Sequence, residues 1–240
     1  MVGTQSQWAK TVFQAVEQPR LYVAVAKRIA EQIRDAPLDA GVQLPPERDL
    51  AKQLGVSRTT VREAMIALET AGLVEVRIGD GTYVSAKPHT VTAPPWETGR
   101  DFGPGPHEQF RVRSVIECAS AADAALHITN AELADLKRLL DMMAGDLEGP
   151  VSDDYRAEFH ELVAKASRNS ILLRLVREFW ALRSGDMWRT VRDRVVRPEH
   201  HVQALHDRID IYEALSKRDR IGAEAAMRCL MGRIRKRYFE

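Results

Sequence analysis

Hydrophobic residues near the N-terminus recur at every fourth position, which is the spacing of a helix with one buried stripe. The stripe runs from Leu21 to Ile33, and the helix is predicted to end before Pro37. A second helix is predicted to open with Pro46, because a first helical turn leaves unpaired the N–H that proline lacks, and to close at Gly55. The pattern therefore predicts two helices in this part of the chain.

The next segment changes from the period of a helix to that of a strand. Ser57 is a favoured N-cap residue for a third helix. The apolar residues on one face of this helix are Val61, Ala64, Met65 and Leu68. From residue 74 apolar and polar residues alternate, a turn follows at 79–81, and a second short strand is expected at 82–84. Three helices followed by a β-hairpin predict a winged helix-turn-helix.

Beyond residue 106 the apolar spacing is helical throughout. The segments with this spacing are 110–126, 131–143, 155–167, 171–182 and 207–216. Asn130, Asn169 and Gly185 separate neighbouring segments. We expect an all-helical bundle of six or seven helices that pack antiparallel through short connections. The fold class predicted for the whole chain is therefore mainly α.

The segment between these two blocks has a different composition. Residues 86–106 hold five prolines and three glycines, a density that we expect to exclude helices and strands. We interpret the segment as a linker. The predicted organisation is an N-terminal extension at 1–20, a winged helix-turn-helix domain at 21–86, a linker at 87–106 and a helical domain at 107–240.

Composition narrows the class of protein. Of 240 residues, 45% are hydrophobic and 29% charged, which is typical of a globular chain. No stretch approaches the roughly 20 apolar residues of a membrane helix, and the first residues lack a secretory signal. Two cysteines, Cys118 and Cys229, make no disulfide framework, so we expect a cytoplasmic protein. Because the formal net charge is only +1, any binding of nucleic acid must depend on where the charges are placed.

The third predicted helix has the residues of a DNA recognition helix. Arg58 and Arg62 are four residues apart and are expected on the face opposite the apolar stripe. Arginine donates two hydrogen bonds to guanine, while the hydroxyls of Ser57, Thr59 and Thr60 suit phosphates or base edges. The backbone N–H groups at the helix start add a phosphate site.

Two neighbouring elements extend this surface. Arg48 on the second predicted helix can reach the phosphate backbone, and Gly79 at the hairpin tip is small enough for a minor groove, although Asp80 is an unfavourable charge there. An arginine pair alone would more often be a solvated helix surface. The tight turn, the hydroxyls and the hairpin together favour DNA binding.

Four segments resemble the GntR family of bacterial transcription regulators. They are LPPERDLA at 44–51, VSRTTVREA at 56–64, LE and GLV within 68–74, and GTYV at 81–84. The resemblance runs without a gap from about residue 21 to 84. It implies DNA contact by Arg48, Ser57, Arg58, Thr59, Thr60 and Arg62, with Gly79 near the minor groove. It also implies repression that a ligand relieves.

The helical block resembles the FadR-type C-terminal ligand-binding domain of that family, the FCD domain, over about residues 108–237. The segments that match are Arg113 with Glu117, 158–160, 166–169 and 214–219. Together with 186–188, the segment 158–160 is most similar to the hexuronate-utilisation repressors. Because one recognition helix covers only a few base pairs, we expect a homodimer on a double-stranded operator with inverted half-sites about one helical turn apart. We expect the effector to be a small carboxylate or sugar acid.

Family members of this type often hold a divalent metal through an Asp, a His one turn later, and two further His residues. The matching positions here are Arg156, His160, Arg208 and Leu230. Only His160 is a metal-ligating residue, so we expect no metal. We hypothesise instead that Arg113, Arg156 and Arg208, with His160, bind an acidic effector directly, because an arginine fork pairs with a carboxylate.

The sequence leaves alternatives to this interpretation open. The arginines could be solvated or neutralised by acidic neighbours, and an alignment shift of two residues would bring His206 beside His160 as a poor metal site. Phe179-Trp180 is expected in the core and the basic run 233–237 on a solvated face.

Two rival functions are a ligand-independent architectural DNA binder with a relic pocket and a metabolic enzyme built on the helical block. Against an enzyme, the sequence shows no nucleophile–base pair, phosphate loop or intact metal triad, so we expect no catalytic residues.

Overall fold

A computed structural model of the chain describes residues 20–36, 39–86, 94–98, 103–145, 153–195 and 199–239. The N-terminal elements are α1 (Leu21–Asp35), α2 (Glu47–Leu54), α3 (Arg58–Thr70), β1 (Val74–Arg77) and β2 (Gly81–Val84). They are followed by α4 (Pro95–Thr98), α5 (Pro106–His127), α6 (Asn130–Gly145), α7 (Asp153–Ala166), α8 (Ser170–Leu182), α9 (Asp186–Val195), α10 (Glu199–Ser216) and α11 (Arg220–Phe239). None of the helices found in the described ranges is long and apolar enough to cross a membrane.

The N-terminal elements form the expected winged helix-turn-helix. Gly55 ends α2 with a φ of +67°, a left-handed conformation that glycine adopts without strain. Ser57 then caps α3, because its Oγ accepts a hydrogen bond of 3.0 Å from the backbone N–H of Thr60. The hairpin pairs β1 with β2 antiparallel, with Val74 opposite Val84. The prediction of three helices and a two-stranded wing is confirmed.

Three details of the predicted pattern are wrong. Leu21 is 59% exposed, although Val25 and Ile29 of the predicted stripe are buried, and the buried face of α1 also includes Tyr22 and Ala26. Ile78 lies in the hairpin turn and is 63% exposed. The proline-rich segment does contain a helix, α4, because Pro95 stands at its first position, where no N–H is needed.

The C-terminal block is helical throughout its described residues, with α5 and α11 at its centre. Phe110 near the start of α5 lies 5.4 Å, ring to ring, from Phe239 at the end of α11. Two turns further along α5, the surroundings of the Cys118 thiol include Arg228 and Glu224 from earlier in α11. The two helices are therefore antiparallel. Helices α6, α7 and α10 complete a core that includes Leu136, Phe159 and Leu215.

The two blocks pack against each other. Met187 and Val191 of α9 belong to the same apolar cluster as Met65 and Ile66 of α3. At the edge of this contact the hydroxyl oxygens of Thr70 and Thr190 are 2.9 Å apart, and Arg194 of α9 forms an ion pair of 3.1 Å with Glu69 of α3. The inner face of α3 is thus covered by the helical block, which the linker composition did not indicate.

Candidate functional site

The first turn of α3 presents its polar side chains at the surface. Ser57 and Arg58 are exposed, while Thr59 and Thr60 are half-buried. The hydroxyl oxygens of Ser57 and Thr60 are 2.8 Å apart and share a hydrogen bond, in addition to the one by which Ser57 caps the helix. The structure therefore brings four of the residues expected at DNA into one turn, with the Arg58 guanidinium open to solvent.

Arg48 and Gly79 flank this turn from the neighbouring elements. Arg48 on α2 has a side chain that is 78% exposed, and its Nε lies 3.3 Å from Asp49 Oδ1. Gly79 at the hairpin tip is exposed and has a φ of +78°. The tip is fixed by Gln43, whose Nε2 donates a hydrogen bond of 3.0 Å to the backbone carbonyl of Asp80. These positions suit contacts with phosphates and a groove edge.

Arg62 is placed differently from Arg58. Its Nε and Nη2 donate hydrogen bonds of 3.1 and 3.0 Å to one carboxylate oxygen of Glu47 on α2. Its Nη1 donates to the backbone carbonyl of Phe239, the last residue of α11. Of the arginines expected at DNA, Arg62 is therefore held between the winged helix and the helical block.

A second site lies inside the helical block, where the predicted effector residues meet. Arg113 of α5, Arg156 of α7 and Arg208 of α10 line one cavity of about 30 Å³. The further lining residues that bear on its chemistry are Trp180, Arg183, His200, His201, Asp207, Leu230, Arg233 and Arg237. Six arginines and one aspartate are among the described residues of its wall, so the site is strongly cationic.

Beside this cavity, four side chains form a buried hydrogen-bonded chain. Arg113 Nε donates to Glu117 Oε1 at 2.7 Å, and His160 Nδ1 lies 2.5 Å from Glu117 Oε2. On its other side, His160 Nε2 is 3.4 Å from Arg208 Nη2. Because arginine can only donate, Nε2 of His160 accepts and its proton resides on Nδ1, directed at Glu117.

Burial and these neighbours shift the pKa values of Glu117, His160 and Arg208. Burial alone would raise the pKa of Glu117, but the charges of Arg113 and His160 outweigh it and lower that pKa. Burial lowers the pKa of His160 to about 4, against the attraction of Glu117, so the ring is neutral at neutral pH. Burial, with Arg156 and Arg113 nearby, lowers the pKa of Arg208 to about 9.

The residues at the family's metal positions do not fit a divalent cation. Both nitrogens of His160 are engaged, one with Glu117 and the other with Arg208. Arg156 and Leu230 offer no lone pair. The structure places Arg208 against His160 and leaves His206 exposed, so the alternative with two histidines is not formed. Among the described residues, no group of three or more His, Cys, Asp and Glu could hold a metal ion.

Several buried N–H donors at the cavity have no partner within the described part of the chain. They are Nη1 and Nη2 of Arg113, Nε of Arg208 and Nε1 of Trp180. Arg113 lies with its guanidinium carbon 4.5 Å from the centroid of the Trp180 ring, and its side chain is 2% exposed. Unpaired buried donors are costly, and an acceptor-rich anion would satisfy them.

Sequence reasoning found part of this wall. Trp180 packs against an apolar cluster, as predicted, and also lines the cavity. Arg233 is exposed, as predicted for the run 233–237, whereas Arg237 is half-buried at the cavity. The spacing of four residues places both arginines on one face of a helix, but the ion pair of Arg233 with the buried Asp207 was not indicated by the sequence pattern.

Comparison with known proteins gives the family context. Residues 21–84 match the profile described as bacterial regulatory proteins, gntR family, and residues 108–233 match the FCD domain. The Uxu operon transcriptional regulator of Escherichia coli K12 is 32% identical over 232 residues, covering 94% of this chain and 90% of that protein. The Exu regulon transcriptional regulator of the same strain is 33% identical over 215 residues, covering 88% and 81%.

A third relative and one solved structure agree with these matches. The Uxu operon regulator of Haemophilus influenzae is 31% identical over 224 residues, covering 92% of this chain and 83% of that protein. The structure of E. coli McbR/YncC is 22% identical, covers 90% of this chain and 96% of its own, and has a TM-score of 0.50, which shows a shared fold.

Proposed function

Because the chain belongs to the GntR family of bacterial regulatory proteins and carries an FCD domain, we propose a specific division of labour for its two blocks. It is a DNA-binding transcriptional regulator. Its winged helix-turn-helix, at 21–86, reads operator DNA, and its helical domain, at 107–240, binds a small acidic metabolite that changes operator affinity. A linker at 87–106 joins them. Such a regulator meets its operator in the cytoplasm and performs no catalysis.

The DNA-reading assignment is supported by the exposed first turn of α3. Arg58 reads base edges in the major groove, and Ser57, Thr59 and Thr60 bind phosphates or base edges. Arg48 binds the backbone beside the groove and Gly79 approaches the minor groove. One recognition helix covers only a few base pairs, so two copies on inverted half-sites about one helical turn apart are needed for specificity.

The exposed apolar residues of α5 and α8 support a homodimer. The two helices pack together through Ile116 and Val176, and exposed apolar side chains remain on both of them, including Val112 and Val115 of α5 and Ile171 of α8. Burying these side chains against a second copy removes them from water. The symmetric pair then matches the inverted half-sites.

The effector assignment is carried by the unpaired donors of Arg113 and Arg208. A cavity wall with six arginines selects an anion, and bidentate arginine–carboxylate bonds make a metal unnecessary. His160 orients this set, because it contacts Arg208 on one side and Glu117 on the other. Glu117 in turn accepts a hydrogen bond from Arg113. The effector is a small carboxylate or sugar acid, and its binding relieves repression.

Thermal melting with matched ligands tests the effector assignment. D-glucuronate and D-glucarate, which differ by one carboxylate, are compared with neutral D-glucose. A ligand at 100 times its Kd adds about 2.7 kcal/mol to the free energy of unfolding, so a bound acid raises Tm by several degrees and glucose does not. A chain that binds operator fragments, while no sugar acid or other carboxylate shifts its Tm or its operator affinity, would be an architectural DNA binder instead.

A further inference from the structure

Two adjacent residues of the recognition helix, Arg62 and Glu63, contact the ends of two helices of the effector domain. Glu63 is buried, and its Oε1 accepts a hydrogen bond of 3.1 Å from the backbone N–H of Glu108 in the first turn of α5. Arg62 donates to the backbone carbonyl of Phe239 in the last turn of α11. An anion therefore meets a helix N-terminus and a cation meets a helix C-terminus.

This arrangement matches the electrostatics of the two helix ends. The first N–H groups and last carbonyls of a helix lack partners within it and carry partial charges, positive at the N-terminus and negative at the C-terminus. Since α5 and α11 are antiparallel, their oppositely charged ends lie side by side. The N-cap of α5 is Gly105, which has no side chain to cap the helix. A Cβ at Gly105 would lie 2.2 Å from the Glu63 carboxylate, so this glycine admits the cap from α3.

The contact at α11, with that to Glu47, engages three of the five N–H donors of Arg62. All three nitrogens of its guanidinium are engaged, Nε and Nη2 with Glu47 and Nη1 with the carbonyl of Phe239. The Phe239 ring is itself buried beside Phe110 and Trp188, which anchors the end of α11. Two N–H groups of Arg62 remain, but Glu47 and the Phe239 carbonyl fix the direction of the guanidinium, so a bidentate contact with a base edge requires it to turn away from α11.

The clamped helices are also walls of the effector cavity. Arg113 lies on α5, and Leu230, Arg233 and Arg237 lie on α11. Arg237 and the neighbouring Tyr238 line both this cavity and the groove in which Arg62 lies. A cavity of about 30 Å³ has room for one or two waters, not for an organic acid, so a ligand must displace part of this wall.

We propose that Arg62 and Glu63 form a clamp by which α5 and α11 hold the recognition helix, and that operator DNA competes with α11 for Arg62. The inference rests on the proposed function. In the clamped state the chain lacks one of its DNA-binding arginines, and release of the clamp restores it. The clamp thereby connects α5 and α11, which line the effector cavity, to the DNA-reading surface of α3.

A double-mutant cycle on the full-length chain tests the competition. Glu63→Gln keeps the shape of the side chain but removes its charge from the end of α5. It should tighten operator binding about fivefold, the change expected when a charged acceptor becomes neutral. In an Arg62→Ala background the same substitution should change affinity by less than about twofold, because no arginine is left to release. Asp141→Asn, an exposed acid-to-amide change on α6, is the matched control and should have no effect.

Equal effects of Glu63→Gln in both backgrounds would overturn the clamp and leave Glu63 a structural residue. Loss of all operator binding by the wild-type chain would refute the proposed function itself, so the two failures are distinguishable. If Glu63→Gln does not fold, hydrogen exchange on the wild type replaces it. Operator DNA should then accelerate exchange of the Glu108 amide, and an amide that stays equally protected at saturating operator contradicts the proposal.

Discussion

At the scale of single residues, the buried charges of the effector domain set both its chemistry and its stability. Arg113, Glu117, His160 and Arg208 are each at most 3% exposed, yet each contacts another member of the set. Their net charge is positive with His160 neutral, and three nitrogens of this set, Nη1 and Nη2 of Arg113 and Nε of Arg208, have no hydrogen-bond partner among the described residues. Under the proposed function an acidic effector would supply acceptors for these donors, and the cost of leaving them unpaired would contribute to its affinity.

Removing Arg113 should strongly destabilise the protein. Arg113→Gln leaves the Glu117 carboxylate buried beside a neutral His160, at an expected cost of about 3–5 kcal/mol in the free energy of unfolding. Adding Glu117→Gln should recover part of that loss. The control is Arg228→Gln in the exposed pair with Glu224, where less than about 1 kcal/mol should be lost. Urea unfolding measures all three, and a loss at Arg113 no larger than at Arg228 would contradict the buried charge pair.

The titration of His160 should make the protein less stable in acid. Its pKa is lowered from 6.5 to about 4 in the folded chain, so between these values the unfolded chain binds more protons. The contribution of His160 to the free energy of unfolding is then fully present above pH 6.5 and is lost as the pH drops from 6.5 to 4. His160→Gln should reduce this slope, while His127→Gln, at an exposed position, should keep it. Urea midpoints across this pH range are the measurement, and equal slopes in the wild type and His160→Gln would exclude the histidine as the cause.

At the scale of the element, α3 contributes to two surfaces, one exposed at its first turn and one buried against α9. Its first turn, with Arg58, is exposed, whereas Met65 and Ile66 on its inner face pack against α9. The helix is short and its start is capped by Ser57, so the direction of the first turn is well defined. This separates Arg58, which we propose reads DNA, from Arg62, which contacts the helical block.

Truncation of Arg58 should weaken and broaden operator recognition. Arg58→Ala should cost about 1–3 kcal/mol of binding free energy, equivalent to roughly five- to 150-fold in Kd, and should relax selectivity at one base pair of each half-site. Arg138→Ala, at an exposed arginine on α6, should leave Kd unchanged. Fluorescence anisotropy with operator and single-base variants provides the comparison. Unchanged affinity and selectivity for Arg58→Ala would mean that α3 docks in another way.

At the scale of the whole molecule, α5 and α8 carry apolar side chains that are exposed to water. Val115 is 71% exposed and Ile171 58% exposed, although both helices pack into the effector domain on their other sides. Two recognition helices on the proposed inverted half-sites require two chains, and we propose that this face joins them.

A charge on this face should separate the dimer. Val115→Glu should give the mass of one chain in light scattering, where the wild type should give two, because a carboxylate would have to be buried in the apolar contact. Met142→Glu, at an exposed apolar position on α6, should remain dimeric. The monomeric variant should also lose most operator affinity. A wild type that runs as one chain, or Val115→Glu that runs as two, would exclude this interface.

The sequence by itself determined the winged helix-turn-helix and the helical block, because these follow from local periodicity, caps and turns within short stretches of chain. It also brought together Arg113, Arg156, His160 and Arg208, but only through the resemblance to a family. The tertiary structure alone decided that Arg208 rather than His206 faces His160, and that Arg62 and Glu63 bind the ends of α11 and α5. These contacts join residues 45 to 177 positions apart, and no local pattern shows which helix ends will meet.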